Sequence, residues 1–282
     1  MTYRPTVRGR RLAGELRRLR EKQQLTLQEV ADRLGWSRAT VSRLETGQTR
    51  PHHGDVADLL DLYGITSPDR DALIALARQA KQRGWWTAYV DIFTDSHVGF
   101  EDEASRICTW DPQLIHGLLQ TEDYARAVIT TGRMLAGSAV ERRIAARKIR
   151  QTLLDRDDAP ELHAIFDEAV LRRPIGGPSV MSAQLLALVE AARRAHVTIR
   201  VLPYAVGEHA GLDGRFTVLS FPDPADPDVA YVEGTMGNVY LESSEATGQH
   251  RNRFEQITKS ALSPVESIRT ISQAAEDFRA AR

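Results

Sequence analysis

Residues 26–51, "TLQEVADRLGWSRATVSRLETGQTRP", decide how the N-terminal part of the chain is read. Thr26 followed three residues later by Glu29 has the form of a capping box, in which two side chains satisfy backbone N–H groups that a first helical turn leaves open. Val30, Ala31 and Leu34 then fall on one face, and Ala31 is small where two helices must cross closely. Gly35 suits the left-handed residue that ends a helix, Trp36 can bury against its neighbours, and Ser37 can cap a further helix running to about Thr46. Two short helices joined by so tight a turn predict a helix-turn-helix.

In the second of these helices Val41 and Leu44 suffice to seat it on a core, which leaves Arg38, Ala39, Thr40, Ser42 and Arg43 on its other faces, with Ser37 at the cap. Those side chains suit the reading of DNA. Arginine bonds guanine O6 and N7 bidentately, Ser and Thr reach bases or phosphates, and short side chains let a helix sit deep in the major groove. Arg38 and Arg43 are the base-contact candidates. Gln28 at the start of the preceding helix, and Gln48, Thr49 and Arg50 after the reading helix, lie where backbone phosphates would pass; they position rather than specify.

Charge points the same way. Residues 1–50 hold twelve Lys/Arg against five Asp/Glu, or +7, whereas the whole chain of 282 residues carries −1, leaving −8 for the rest. A basic end favours a polyanionic partner through counterion release, although charge alone is equally compatible with a solvated basic helix. The N-terminus lacks the apolar run of a secretory signal and no stretch reaches the roughly 18 apolar residues of a membrane span, so a cytoplasmic protein is expected. Cys108 is the single cysteine, which excludes an intramolecular disulfide and leaves a small core residue as the simplest reading.

Around the motif, Leu12, Leu16 and Leu19 predict a first helix with a basic outer face, and Val56, Leu59, Leu60 and Tyr63 a fourth. A fifth, connecting helix is expected from about Asp69 to Arg83. The expected boundaries are thus 1–83 for a mostly α, five-helix DNA-binding domain and 84–282 for an α+β domain with a small sheet of about five strands. In the latter, "EDEASRICTWDPQLIHGLLQTEDYARAVI" reads as helix, loop, helix; "LHAIF", "VTIRVLP", "GRFTVLSFP", "DVAYVEG" and "NVYLE" read as strands, with a helix carrying Leu185, Leu188 and Val189 between the first two and two helices at the end. The last helix opens with Ser263, Pro264 and Glu266, a second capping box.

Residues 10–63 resemble the Xre/Cro-type helix-turn-helix domain, whose recurring Arg-x-Glu-x-Gly ending is present as "SRLETG". The resemblance implies a structural rather than base-reading role for Glu45; the reading positions vary across that family, so no operator carries over. Residues 85–275 resemble the uncharacterised C-terminal domain of actinomycete (WhiJ-like) regulators, on "WDPQLIHGLLQTEDYARAV", "FDEAVLRRPIGGPSVMSAQLLAL", "VTIRVLPYAVGEHAGLDGRFTVLSFP" and "VAYVEG"; His116-Gly117 stands where that family usually has Pro-Gly. This resemblance implies transcriptional control and frequent pairing with a small acidic, BldB-like protein.

The function expected is a sequence-specific transcriptional regulator, a repressor, acting as a homodimer on double-stranded DNA and modulated through its C-terminal domain by a small protein partner or ligand. The alternative is an antitoxin-like protein that sequesters a small acidic partner and regulates its own synthesis. No nucleophile elbow, Walker loop or zinc-protease motif appears, so no enzyme, catalytic residue, cofactor or metal is expected. Asp167 and Glu168 beside Arg172 and Arg173 are more economically ion pairs at a strand end, and His52 and His53, expected in a loop after Pro51, read as solvent-exposed or phosphate-facing rather than as metal ligands. Trp85 and Trp86, in an aromatic-rich segment, and His209, in the Gly-rich loop "GEHAGLDG", are the candidates for meeting a ligand or partner, against plain core and hairpin readings.

Overall fold

The structure, a computed structural model, describes residues 6–80, 85–89, 91–93, 97–131, 135–224, 226–234 and 237–280. Two compact units emerge, one ending at Glu103 and the other beginning at Ala104. The described residues 85–89, 91–93 and 97–103 group with the N-terminal unit: in α6, His97–Glu103, Phe100 lies under the Arg10 guanidinium at 4.5 Å, and a Cβ at Gly99 would touch the Trp86 indole.

The N-terminal unit holds α1 (Val7–Lys22), α2 (Leu27–Leu34), α3 (Arg38–Glu45), α4 (His53–Leu62) and α5 (Asp69–Gln79) before α6. The described part of α5 ends at Gln79; the expected end at Arg83 lies outside the described residues. Leu12, Leu16, Val30, Ala31, Val41, Leu44, Val56, Leu59, Leu60 and Tyr63 form one buried core, so the periodicity that marked four helices marks their shared interior.

The second unit is α/β. Its six strands are β1 (Arg106–Asp111), β2 (Glu161–Asp167), β3 (Val197–Leu202), β4 (Phe216–Ser220), β5 (Val229–Gly234) and β6 (Gly237–Leu241), in the order β3-β2-β1-β4-β5-β6 among the described residues. β1–β2 and β2–β3 are parallel and the remaining pairs antiparallel. Five of these strands are the five expected. The sixth, β1, corrects the helix-loop-helix reading, because "RICTWD" forms a central strand buried on both faces. Its polar members are satisfied inside the sheet: Thr109 Oγ1 lies 3.2 Å from Thr217 Oγ1 and donates to Asp111 at 2.8 Å, and Arg215 donates to Asp111 at 2.5 Å.

The helices of this unit are α7 (Glu122–Thr130), α8 (Gly137–Gln151), α9 (Glu168–Arg172), α10 (Pro178–Ala191), α11 (Ser244–Ser260) and α12 (Pro264–Ala280). Thr121 caps α7, and Ser263 with Glu266 forms the expected reciprocal box at α12. The buried side of α7 is Tyr124, Ala125 and Ile129 rather than Tyr124, Ala127 and Val128, and Ile149 of α8 is exposed. Phe254 and Ile257 of α11 pack on Trp110, Ile165, Phe216 and Val218. No described helix is long and apolar enough to cross a membrane.

Candidate nucleic-acid interface

The turn between α2 and α3 forms because each local signal is used. Thr26 accepts from Glu29 N at 3.2 Å and Glu29 accepts from Thr26 N at 2.8 Å, so the box closes. Gly35 takes φ +67°, which a side chain would strain although open space surrounds its Cβ position, and Trp36 N then donates to Ala31 O at 2.8 Å. Ser37 accepts from Thr40 N at 3.1 Å. Three residues, Gly35 to Ser37, therefore separate the end of α2 from the start of α3.

With Val41 and Leu44 buried, Arg38, Ala39, Arg43 and Thr46 are exposed and Thr40 and Ser42 half-buried. Positions 38, 39, 42, 43 and 46 are related by steps that keep them on one helical face. Eight residues make a helix of about 12 Å, comparable to the width of a major groove. The hydroxyls are not equivalent: Ser37 and Thr40 bond each other at 2.9 Å, while Thr46 donates back to Ser42 O at 2.7 Å. Gln28 is exposed at the start of α2 but donates to Asp32 at 2.8 Å, so reaching a phosphate requires exchanging that bond. Gln48 and Arg50 are exposed and Thr49 half-buried, directly after α3. His52 caps α4, its Nδ1 accepting from Gly54 N at 3.3 Å, and His53, its ring 4.6 Å away, is the first residue of that helix rather than a loop residue.

The presentation of α3 depends on a pair that the sequence reading only half foresaw. Glu45 faces inward, as its resemblance-based structural role requires. Its partner is Arg20, expected on the basic outer face of α1 but partly buried there: Nε donates to Glu45 Oε1 at 2.8 Å, Nη2 to Oε2 at 2.9 Å, and Nη1 to Leu25 O at 2.7 Å. The Arg20 and Glu45 side chains are 11% and 3% exposed. This fork fastens the last turn of α3 to α1 and the α1–α2 corner. Hydrogen bonding to Glu45 holds the guanidinium above its ordinary pKa, and burial beside Glu45 pushes the Tyr63 phenol up. Gln23 donates to Tyr63 O at 2.9 Å, drawing the end of α4 into the same corner. Only the 25-residue separation hid Arg20.

The family comparisons agree with this geometry. Residues 11–73 match the family described as "Helix-turn-helix domain", and residues 94–273 match the family described as "Domain of unknown function (DUF5753)". The chain belongs to the DUF5753 family. No curated protein and no solved structure matches it. This DUF5753 protein thus carries a helix-turn-helix domain, the mark of a DNA-binding protein of transcription regulation.

The other candidates fall into separate units. Trp85 and Trp86 are half-buried in the first, where Trp85 packs edge-on against Trp86, Tyr89 and Phe93 and donates from Nε1 to Asp102 at 3.0 Å. His209 belongs to the second, half-buried against Trp110 with ring centroids 5.3 Å apart. Asp167 and Glu168 serve the start of α9: Asp167 accepts from Ala169 N at 2.8 Å, and Glu168 pairs with Arg172 at 3.2 Å, which also reaches Asp277.

Proposed function

We propose that this protein is a cytoplasmic, sequence-specific transcriptional repressor of the Xre/Cro type that binds DNA as a homodimer. The observation that carries the reading is the division of labour on α3: Val41 and Leu44 seat it, the Arg20–Glu45 fork sets its end, and Arg38, Ala39, Ser42 and Arg43 share the outer face. Paired domains would place two such helices in successive major grooves, about 34 Å apart, adding the affinity that one small domain lacks. The C-terminal unit, in this reading, is a regulatory module of the WhiJ-like kind rather than an enzyme, answering a small acidic, BldB-like protein or a ligand through segments such as that of His209.

Selection of bound duplexes from a random pool tests the assignment. The wild type should enrich an inverted repeat, and Arg43→Ala should relax one or two symmetric positions of it. An unstructured pool after selection, or an enriched site that Arg38→Ala and Arg43→Ala leave unchanged, would defeat the reading.

A further inference from the structure

The segment between β3 and β4, residues 203–215, passes over the C-terminal end of β1 and covers Trp110, which is wholly buried. Its central part, from Gly207 to Gly214, is flanked by two glycines with φ of +67° and +121°. Gly211 is its contact point. The Gly211 carbonyl accepts from Trp110 Nε1 at 2.9 Å, and a Cβ on Gly211 would lie 2.5 Å from the indole, so backbone alone fits there. Gly211 N in turn donates to His209 Nδ1 at 3.1 Å, while the His209 ring stands at 75° to Trp110. The seat of Gly211 on Trp110 therefore depends on a lone pair that is also a proton site.

A neutral imidazole protonated at Nε2 has that lone pair; an imidazolium carries N–H at both nitrogens and has none. We propose that residues 207–214 form a proton-sensitive latch, closed over Trp110 while His209 is neutral and released when His209 takes up a proton. On protonation, Gly211 N–H and His209 Nδ1–H become two donors facing each other. The Gly211 N–H bond is lost, and the turn that aims the Gly211 carbonyl at the indole loosens.

Charged groups reach the latch from several elements, and most of them are held in ion pairs or hydrogen bonds. In the segment itself Glu208 is exposed, Asp213 bonds Arg253 of α11 at 2.8 Å, and Arg215 is held by Asp111 of β1 and Glu233 of β5. Glu168 of α9 accepts from Tyr204 N at 3.1 Å at the segment's start. His250 of α11 packs against Phe216, its Nδ1 bonded to Ala246 O. Release would uncover the Trp110 indole at the C-terminal ends of the parallel strands, where open α/β sheets meet their ligands. The latch makes no use of the DNA-reading residues, so the two proposals fail independently.

The test follows the Trp110 indole N–H signal of the ¹⁵N-labelled full-length protein from pH 8 to 5.5, with the signal assigned by its loss in Trp110→Phe and folding checked by circular dichroism. The wild-type signal should move along a one-proton curve from a hydrogen-bonded to a released position. His209→Asn, whose Oδ1 can accept the same N–H but does not titrate, should hold the closed position throughout; His209→Ala should sit at the released position at every pH. A stationary wild-type signal, or a His209→Asn variant that titrates like the wild type, would overturn the latch.

Discussion

Truncating Arg20 to Ala should damage the reading domain far more than removal of a surface arginine. Glu45 would remain in the last turn of α3 with a 3%-exposed carboxylate stripped of its fork, and Leu25 O would lose its 2.7 Å donor. Breaking a buried pair from one side costs about 3–5 kcal/mol, whereas a surface pair is worth about 1 kcal/mol or less. At 1.4 kcal/mol per factor of ten, hydrogen exchange of α1 and α3 amides through local opening should accelerate by roughly 100-fold to 4,000-fold. Peptide-resolved exchange of the full-length protein measures this directly. Replacing both partners, as Arg20→Met with Glu45→Leu, removes the unpaired charge and should return exchange to within about tenfold of wild type. Acceleration below about fivefold in Arg20→Ala, or a double variant no better than the single, would refute the claim that this pair fixes α3.

Other outcomes follow from single contacts. Gly211→Ala brings a Cβ against Trp110 and should lower stability by about 1–3 kcal/mol, read by urea unfolding, with Gly248→Ala, in open space on α11, as the benign control. Burial pushes the Cys108 thiol up to about 11, so iodoacetamide at pH 8 should label the native protein far more slowly than the urea-unfolded one. Because that value lies above the ordinary one, the thiol's contribution to folding is fully present below pH of about 8.5 and is lost as pH rises towards 11, which Cys108→Ala would remove from an alkaline denaturation profile. Ser263→Ala opens the box at α12 and should cost about 0.5–2 kcal/mol.

Local chemistry carried the readable part of this fold. Thr26 with Glu29, Gly35, Ser37 and Ser263 with Glu266 act over three residues or fewer, and each occupies the position that its backbone chemistry demands. The misreadings have long-range causes. β1 was obscured because Thr109 and Asp111 are polar residues in a central strand, tolerated only through Thr217 and Arg215 more than one hundred residues away. Arg20 looked like one more cation on a basic helix until Glu45 was folded against it. The Gly-rich loop around His209 is plain in the sequence, but the relation of His209 to Trp110 depends on the crossing from β3 to β4, which no local pattern encodes.

The most direct test of the central claim is a salt series of binding to the DNA upstream of the protein's own coding sequence, set beside a random duplex of equal length and the Arg38→Ala and Arg50→Ala variants. The account expects tight binding that weakens steeply with salt, a loss of about 1–3 kcal/mol confined to the upstream duplex for Arg38→Ala, and a similar weakening on both duplexes for Arg50→Ala. Equal affinity of the wild type for both duplexes, with Arg38→Ala and Arg50→Ala indistinguishable from each other, would contradict it.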